Sequence, residues 1–204
     1  MKTMIGIGAV ILAARAAHAE PVEACGPGTT EAGIFLGGFV SNFYHQFYDD
    51  SLLTAAARPQ LGRVSAHLGA RVSYFLHDYI GVEAEASVIV ASVAGDRGRA
   101  LIHGLGAQVV AQYPGVLTPF VDLGIDLEHL SSAPDVLGND TDFPIHLGVG
   151  LRWYITNHLA LRVDGRLLRG PSSKDPYTLD ASYGEVSAGI SFVQRPNRPV
   201  VTGR

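Results

Sequence analysis

Lysine is almost missing from this 204-residue chain: Lys2 and Lys174 are the only two, against thirteen arginines. Cysteine occurs once, as Cys25, which excludes an intrachain disulfide framework and a cysteine-based zinc site. Charge of either sign is scarce. Asp, Glu, Lys and Arg make up 17% of the residues, below the roughly 25% of an ordinary soluble domain. Set beside 47% hydrophobic residues, so little charge argues against disorder. Long apolar runs are lacking too. Beyond the first residues no stretch of about 18 could form a membrane-spanning helix. The net charge is −4 without a basic cluster, so nucleic acid is not an expected partner. What is abundant is glycine, at 24 residues, and a set of dispersed apolar residues that lifts mean hydropathy to +0.20. The length fits one domain.

The N-terminus reads as an export signal over residues 1–19. Lys2 is a positive start, Met4 to Ala14 is an apolar run, and Ala17-His18-Ala19 is a cleavage pattern of the A-x-A kind. That run is too short to span a bilayer as a helix. The mature chain is then expected to begin at Glu20. Losing Lys2 and Arg15 leaves thirteen basic and nineteen acidic residues, a net charge of −6. Residues 20–32 are expected to be a flexible mature N-terminus. Cys25 lies far behind the apolar run and follows Val22-Glu23-Ala24, which does not suit lipidation, so it reads as a free thiol.

Apolar residues past this point recur with period 2, and period 3.6 is not seen. Ile145, Leu147, Val149, Leu151, Trp153 and Ile155 share one face, and His146, Gly148, Gly150, Arg152 and Tyr154 the other. Val82, Ala84, Ala86, Val88 and Val90 alternate with Glu83, Glu85 and Ser87. Val121, Leu123, Ile125 and Leu127 alternate with Asp122, Gly124, Asp126 and Glu128. Leu159, Leu161, Val163 and Leu167 stand opposite Arg162, Asp164 and Arg166. Eight strands are expected, at about 33–44, 64–76, 80–92, 100–113, 118–132, 142–155, 159–170 and 182–193. Short connections at 77–79, 114–117 and 156–158 alternate with long ones at about 45–63, 93–99, 133–141 and 171–181. Such alternation marks an up-and-down barrel of an outer membrane. The fold class expected is therefore all-β, an eight-stranded antiparallel up-and-down transmembrane β-barrel over residues 33–193. Residues 194–204, with Pro196 and Pro199, follow as a disordered periplasmic tail.

Three features set the polar face inside. Gly69, Gly81, Gly104, Gly106, Gly124, Gly148, Gly150 and Gly189 all lie on it. On a solvated surface they would weaken the strands for no return, whereas the narrow interior of an eight-stranded barrel needs the room. Its charges are Arg71, Arg152, Arg162 and Arg166 with Glu83, Glu85, Asp122, Asp126, Glu128, Asp164 and Glu185, and no lysine. Forked guanidinium groups suit buried carboxylate networks better than lysine does. Aromatics gather towards the strand ends. Phe35, Tyr74, Phe75, Tyr79, Tyr113, Phe120, Trp153, Tyr154 and Phe192 lie near the short turns, and Phe43, Tyr44, Phe47, Tyr48, Phe143, Tyr177 and Tyr183 near the long loops. Only Phe39 is mid-strand. Two aromatic girdles are expected from this.

The segments Thr118-Pro-Phe-Val-Asp-Leu-Gly-Ile-Asp126 and His146 to Arg166 resemble the small eight-stranded outer-membrane β-barrels, OmpA- or OmpX-like and opacity-protein-like. The resemblance covers about residues 33–193. It implies a cell outer membrane location in a Gram-negative envelope, an outer-membrane assembly machinery as partner, and outer-membrane lipid and lipopolysaccharide as surroundings. One departure is the sequence from Gln194 to Arg204, which continues beyond the terminal aromatic Phe192.

The inward charges are read as an ion-pair network that fills the barrel, because buried charges must be paired and eight strands leave little room for a channel. Four arginines face seven carboxylates, so some carboxylates must lie near the mouths, be protonated, or bond to His67, His146 or water. No histidine pair has metal-ligand spacing. His129-Leu-Ser131 invites comparison with lipid A deacylases, which carry a His-x-Ser-Asn motif on the outer wall. Here Ser132 stands where Asn is expected, and the pair is on a different strand. No catalytic, cofactor-binding or metal-ligating residue is assigned, and no cofactor is expected. The loops at 45–63 and 133–141 are the candidate sites for a surface ligand. The expected role is structural or surface-interacting, without catalysis. The alternatives are a lipid-modifying barrel enzyme and a soluble periplasmic, lipocalin-like barrel that binds an apolar ligand.

Overall fold

The computed structural model describes residues 22–41, 47, 61–93, 98–134, 136–170 and 182–196. The expected signal at 1–19, most of the loops at 45–63 and 171–181, and the tail beyond Pro196 lie outside the described residues. Nine strands follow in order: β1 Thr30–Val40, β2 Val64–His77, β3 Ile80–Val93, β4 Gly98–Gln112, β5 Leu117–Ser131, β6 Asn139–Asp142, β7 Ile145–Thr156, β8 Leu159–Arg169 and β9 Ser182–Gln194. All pairings are antiparallel, in the order β4-β3-β2-β1-β9-β8-β7-β5-β6, and β4 pairs with β5 to close the sheet. No helix occurs among the described residues.

Nine strands make eight staves. β6 and β7 both pair with β5 in one unbroken register, from Glu128↔Asp142 to Ile125↔Ile145. The break between them falls at Phe143-Pro144, because proline has no N–H to give the ladder. Asp126 N–H still donates to Pro144 O at 2.9 Å. Residues 139–141, expected in a loop, therefore belong to a hairpin. Its turn is held by Ser132 N–H donating to Gly138 O at 3.0 Å and Leu137 N–H donating to Ser132 Oγ at 3.0 Å. Gly138 has φ of +75°, which favours glycine there.

The closed sheet places the apolar face outside. Leu167 is 71% exposed, Leu123 61% and Val149 60%, while Arg152 on the same stave as Val149 is 0% exposed. A soluble barrel would reverse this. Tyr74, Tyr79, Tyr113, Trp153 and Phe192 form an exposed aromatic girdle at the short-turn end. The second expected girdle is corrected. Of its members among the described residues, only Phe143 is exposed, whereas Phe47 and Tyr183 are buried. Phe35, Phe75, Phe120 and Tyr154 also turn inward. They sit near strand ends as expected, but on inward positions, and the pleat allows only one face per position.

The N-terminal boundary is corrected as well. β1 begins at Thr30 and Cys25 is 1% exposed. Gly28 N–H donates to Phe75 O at 2.8 Å, and Phe75 N–H donates to Thr29 O at 3.0 Å. Backbone bonds to β2 thus hold this segment beneath the barrel. Arg195 Nη2 donates to Glu23 O at 2.6 Å, and Glu23 N–H donates to Asn157 Oδ1 at 3.0 Å. The Arg195 guanidinium also lies 5.7 Å from the Tyr154 ring centre.

Candidate functional site

The inward side chains fall into three layers, because inward positions change character along each strand. At the loop end, Phe39, Ile89, Ile102, Leu130, Leu168 and Tyr183 form an apolar cluster. Phe47, Leu61, Val136 and Leu137 complete it from outside the staves. Phe47 and Tyr183 stack at 4.9 Å between ring centres. At the turn end, Cys25, Phe75, Tyr154, Ala160 and Val193 form a second cluster. These two apolar clusters close the charged inward face at either end. Burial there, beside Glu31, pushes the Cys25 thiol up to about 12.

Between the lids lies the charged layer. Glu83 on β3 is its hub. Arg162 Nη1 donates to Glu83 Oε2 at 2.6 Å, and Ser73 and Gln108 also donate to this carboxylate. Arg152 Nη2 is 3.5 Å from the same oxygen. Arg166 grips Glu85 with two bonds, at 3.1 and 2.8 Å. Arg71 Nη1 and Arg162 Nε each donate to Asp164 Oδ1 at 2.9 Å. Bidentate and shared contacts of this kind are the strong form of a buried ion pair. The Phe120 ring lies 4.5 Å from the Arg152 guanidinium and 4.3 Å from that of Arg162, a cation–π geometry.

All eleven expected inward charges are inward, and the structure adds two buried carboxylates outside that set, Asp142 on β6 and Glu31 on β1. Glu31 accepts from Tyr154 Oη at 2.6 Å and lies 3.4 Å from Arg152 Nε. The expected first strand starts at residue 33, beyond Glu31, and its apolar residues fall on both faces, so local pattern does not mark Glu31 as inward. Gly33 and Gly37 share its phase and could have revealed it. A Cβ on Gly37 would lie 2.1 Å from Val186 O, so this face of β1 is pressed against β9. The acidic surplus sorts as expected in part. His146 bonds Asp126, and His67 lies 3.6 Å from Glu185. Glu128 and Asp142 face one another in register at the loop end, and no arginine pairs with them among the described residues. His67 and His146 each take a carboxylate rather than each other.

The His129 and Ser131 side chains are both on the exposed wall. His129 Nδ1 shares a 2.9 Å hydrogen bond with Thr141 Oγ1, and no hydrogen bond joins it to Ser131 among the described residues. Ser132 is committed to the hairpin turn. Every Asp and Glu of the nine strands falls on an inward position, so no strand carboxylate is on the wall to orient His129. A nucleophile–base–orienter arrangement is therefore not assembled from strand residues. Among the described residues, no group of three metal-ligating side chains converges.

The profile of the outer membrane protein beta-barrel domain family matches residues 7–192. No curated protein matches the chain by sequence. Among solved structures, the N-terminal β-barrel domain of OprF from Pseudomonas aeruginosa aligns with a TM-score of 0.55 at 16% identity, over 83% of this chain and 100% of that one. OprG from the same organism aligns with a TM-score of 0.56 at 12% identity, over 86% and 100%. Neisserial surface protein A aligns with a TM-score of 0.55 at 14% identity, over 80% and 95%. At such identities the likeness is one of fold.

Proposed function

The chain belongs to the outer membrane protein beta-barrel domain family, and from that premise we propose a structural, surface-interacting role with no catalytic step. It is a barrel of the outer membrane, which removes the soluble lipocalin-like alternative. The observation that carries the proposal is Arg152. It is fully buried between the rings of Phe75 and Phe120, and it donates to Gln112 Oε1 at 2.8 Å. Around it the lumen cross-section is taken up by side chains, with an apolar lid on either side. Eight-stranded barrels have little space for anything else.

A filled lumen leaves the loops as the working surface. The loops at 45–63 and 133–141 are the regions we assign to a surface ligand, and in the second of them Ser132 is bonded to Leu137 and Gly138. The test is conductance of the purified protein in a planar bilayer. No steps above background are expected, and reproducible single-channel openings would overturn the filled-lumen reading. Incubation with lipopolysaccharide tests the absence of catalysis. No acyl chain should be released, and a release that Ser131→Ala abolishes would establish the enzyme instead.

A further inference from the structure

The strands of the outer wall carry basic side chains and no carboxylate. The ionisable residues on exposed strand positions are His77 at the turn end and Arg99, His103, His129 and Arg169 at the loop end. All strand carboxylates are inward. Within this set, His103 on β4 and His129 on β5 are directly paired in the register. Directly opposed side chains have Cβ atoms about 5 Å apart, close enough for two imidazole N–H groups to donate to one anion between them. The Nδ1 bond to Thr141 fixes the His129 ring, and leaves Nε2 without a protein partner among the described residues.

Strand geometry places this pair at a membrane boundary. Tyr113 belongs to the turn-end girdle, and His103 lies ten residues back along the same stave. At about 3.4 Å per residue and a tilt of about 40°, the two are about 25 Å apart along the barrel axis, the height of the apolar band of such barrels. His103 and His129 are therefore at the far edge of the hydrocarbon. Arg99, four residues on, stands about 10 Å higher, in the headgroup layer. Towards the membrane centre, Ala107 and Ile125 are paired two rows below the histidines. They line a wall groove of about 590 Å³ with Val82, Leu123 and Ile145.

We propose that this wall binds a lipid of the leaflet on the loop side whose headgroup carries an anionic phosphate monoester, without a balancing cation as in phosphatidylcholine. Its phosphate sits against His103, His129 and Arg99, and one acyl chain lies along the groove at Ala107. The headgroup contacts are charge-assisted hydrogen bonds to the phosphate oxygens, and the groove supplies apolar contact. The proposal concerns the lipid-facing wall and does not depend on what the loops bind.

Native mass spectrometry of the full protein in detergent tests it, with bis-phosphorylated lipid A and chain-matched phosphatidylcholine as probes. Lipid A should be retained about tenfold more than phosphatidylcholine, the scale of one charge-assisted bond. His103→Asn/His129→Asn and Arg99→Gln should each reduce that preference, Ala107→Phe should reduce retention by filling the groove, and His77→Asn should change nothing. The heat-dependent gel shift checks that each variant is folded. Arg99→Gln, beyond the apolar band, keeps the test open if the double variant does not fold. Equal retention of the two lipids, or unchanged retention in folded Arg99→Gln and Ala107→Phe, would overturn the proposal. So would full displacement by inorganic phosphate, which would reveal a site for the free ion.

Discussion

Glu83 on β3 and Arg162 on β8 meet at 2.6 Å across the full width of the barrel. Their strands stand opposite in the closed order, and 79 positions separate them in the chain. The pair therefore spans the lumen as a strut, and both side chains are out of water.

Removing Arg162 takes from Glu83 its shortest ion pair and from Asp164 one of its two guanidinium donors, which leaves buried carboxylate charge under-compensated. Arg162→Ala is expected to lower stability by about 3–5 kcal/mol, while replacing both ends by apolar residues of similar volume, Glu83→Leu with Arg162→Met, should cost much less. Urea unfolding in micelles, followed by tryptophan fluorescence, measures both. Unchanged unfolding of Arg162→Ala would remove the network from the account of stability.

Two nearby glycines should respond in opposite ways. A Cβ on Gly150 would lie 2.3 Å from Phe120 Cζ and 2.8 Å from Asp164 Cβ, inside the packed layer. Gly150→Ala is expected to destabilise by about 1–3 kcal/mol through overpacking. A Cβ on Gly165 meets nothing closer than 3.6 Å. Gly165→Ala should be neutral or stabilise by up to about 1 kcal/mol, since glycine costs a strand conformational entropy.

The outward face should be intolerant of charge. Val149 is 60% exposed and four residues along the stave from Trp153, which places it about 10 Å into the apolar band. Val149→Arg is expected to cost about 2–4 kcal/mol for folding into lipid vesicles. A change of a few tenths would mean that this face does not meet hydrocarbon.

Cys25 reports on the turn-end lid. With its thiol pushed up to about 12 by burial, the thiolate fraction at pH 8 falls about a thousandfold below that of an ordinary cysteine. Maleimide should label Cys25 slowly in the folded protein and fast after unfolding. Arg195→Ala removes the donor to Glu23 O and should speed labelling of the folded state. Rapid labelling of the unaltered protein would contradict a closed lid.

Much of this was legible in local pattern. The lipid-facing Leu147, Val149 and Leu151 alternate with Gly148, Gly150 and Arg152, and the structure keeps that assignment position for position. Aromatics were harder to place. Phe120 and Tyr154 looked like girdle residues by distance from the turns, yet their phase puts them inside, where Phe120 packs against two guanidinium groups.

The sequence by itself determined the number of staves, their pleat and the inward set of charges, because strand alternation is a property of each segment alone. Only the tertiary structure decided that Glu83 meets Arg162, that Glu31 joins Arg152, and that residues 22–29 and the β5–β6 hairpin supply the lids. Those contacts depend on the register between strands and on how the closed sheet sets opposite staves face to face. No local periodicity encodes the distance across a barrel.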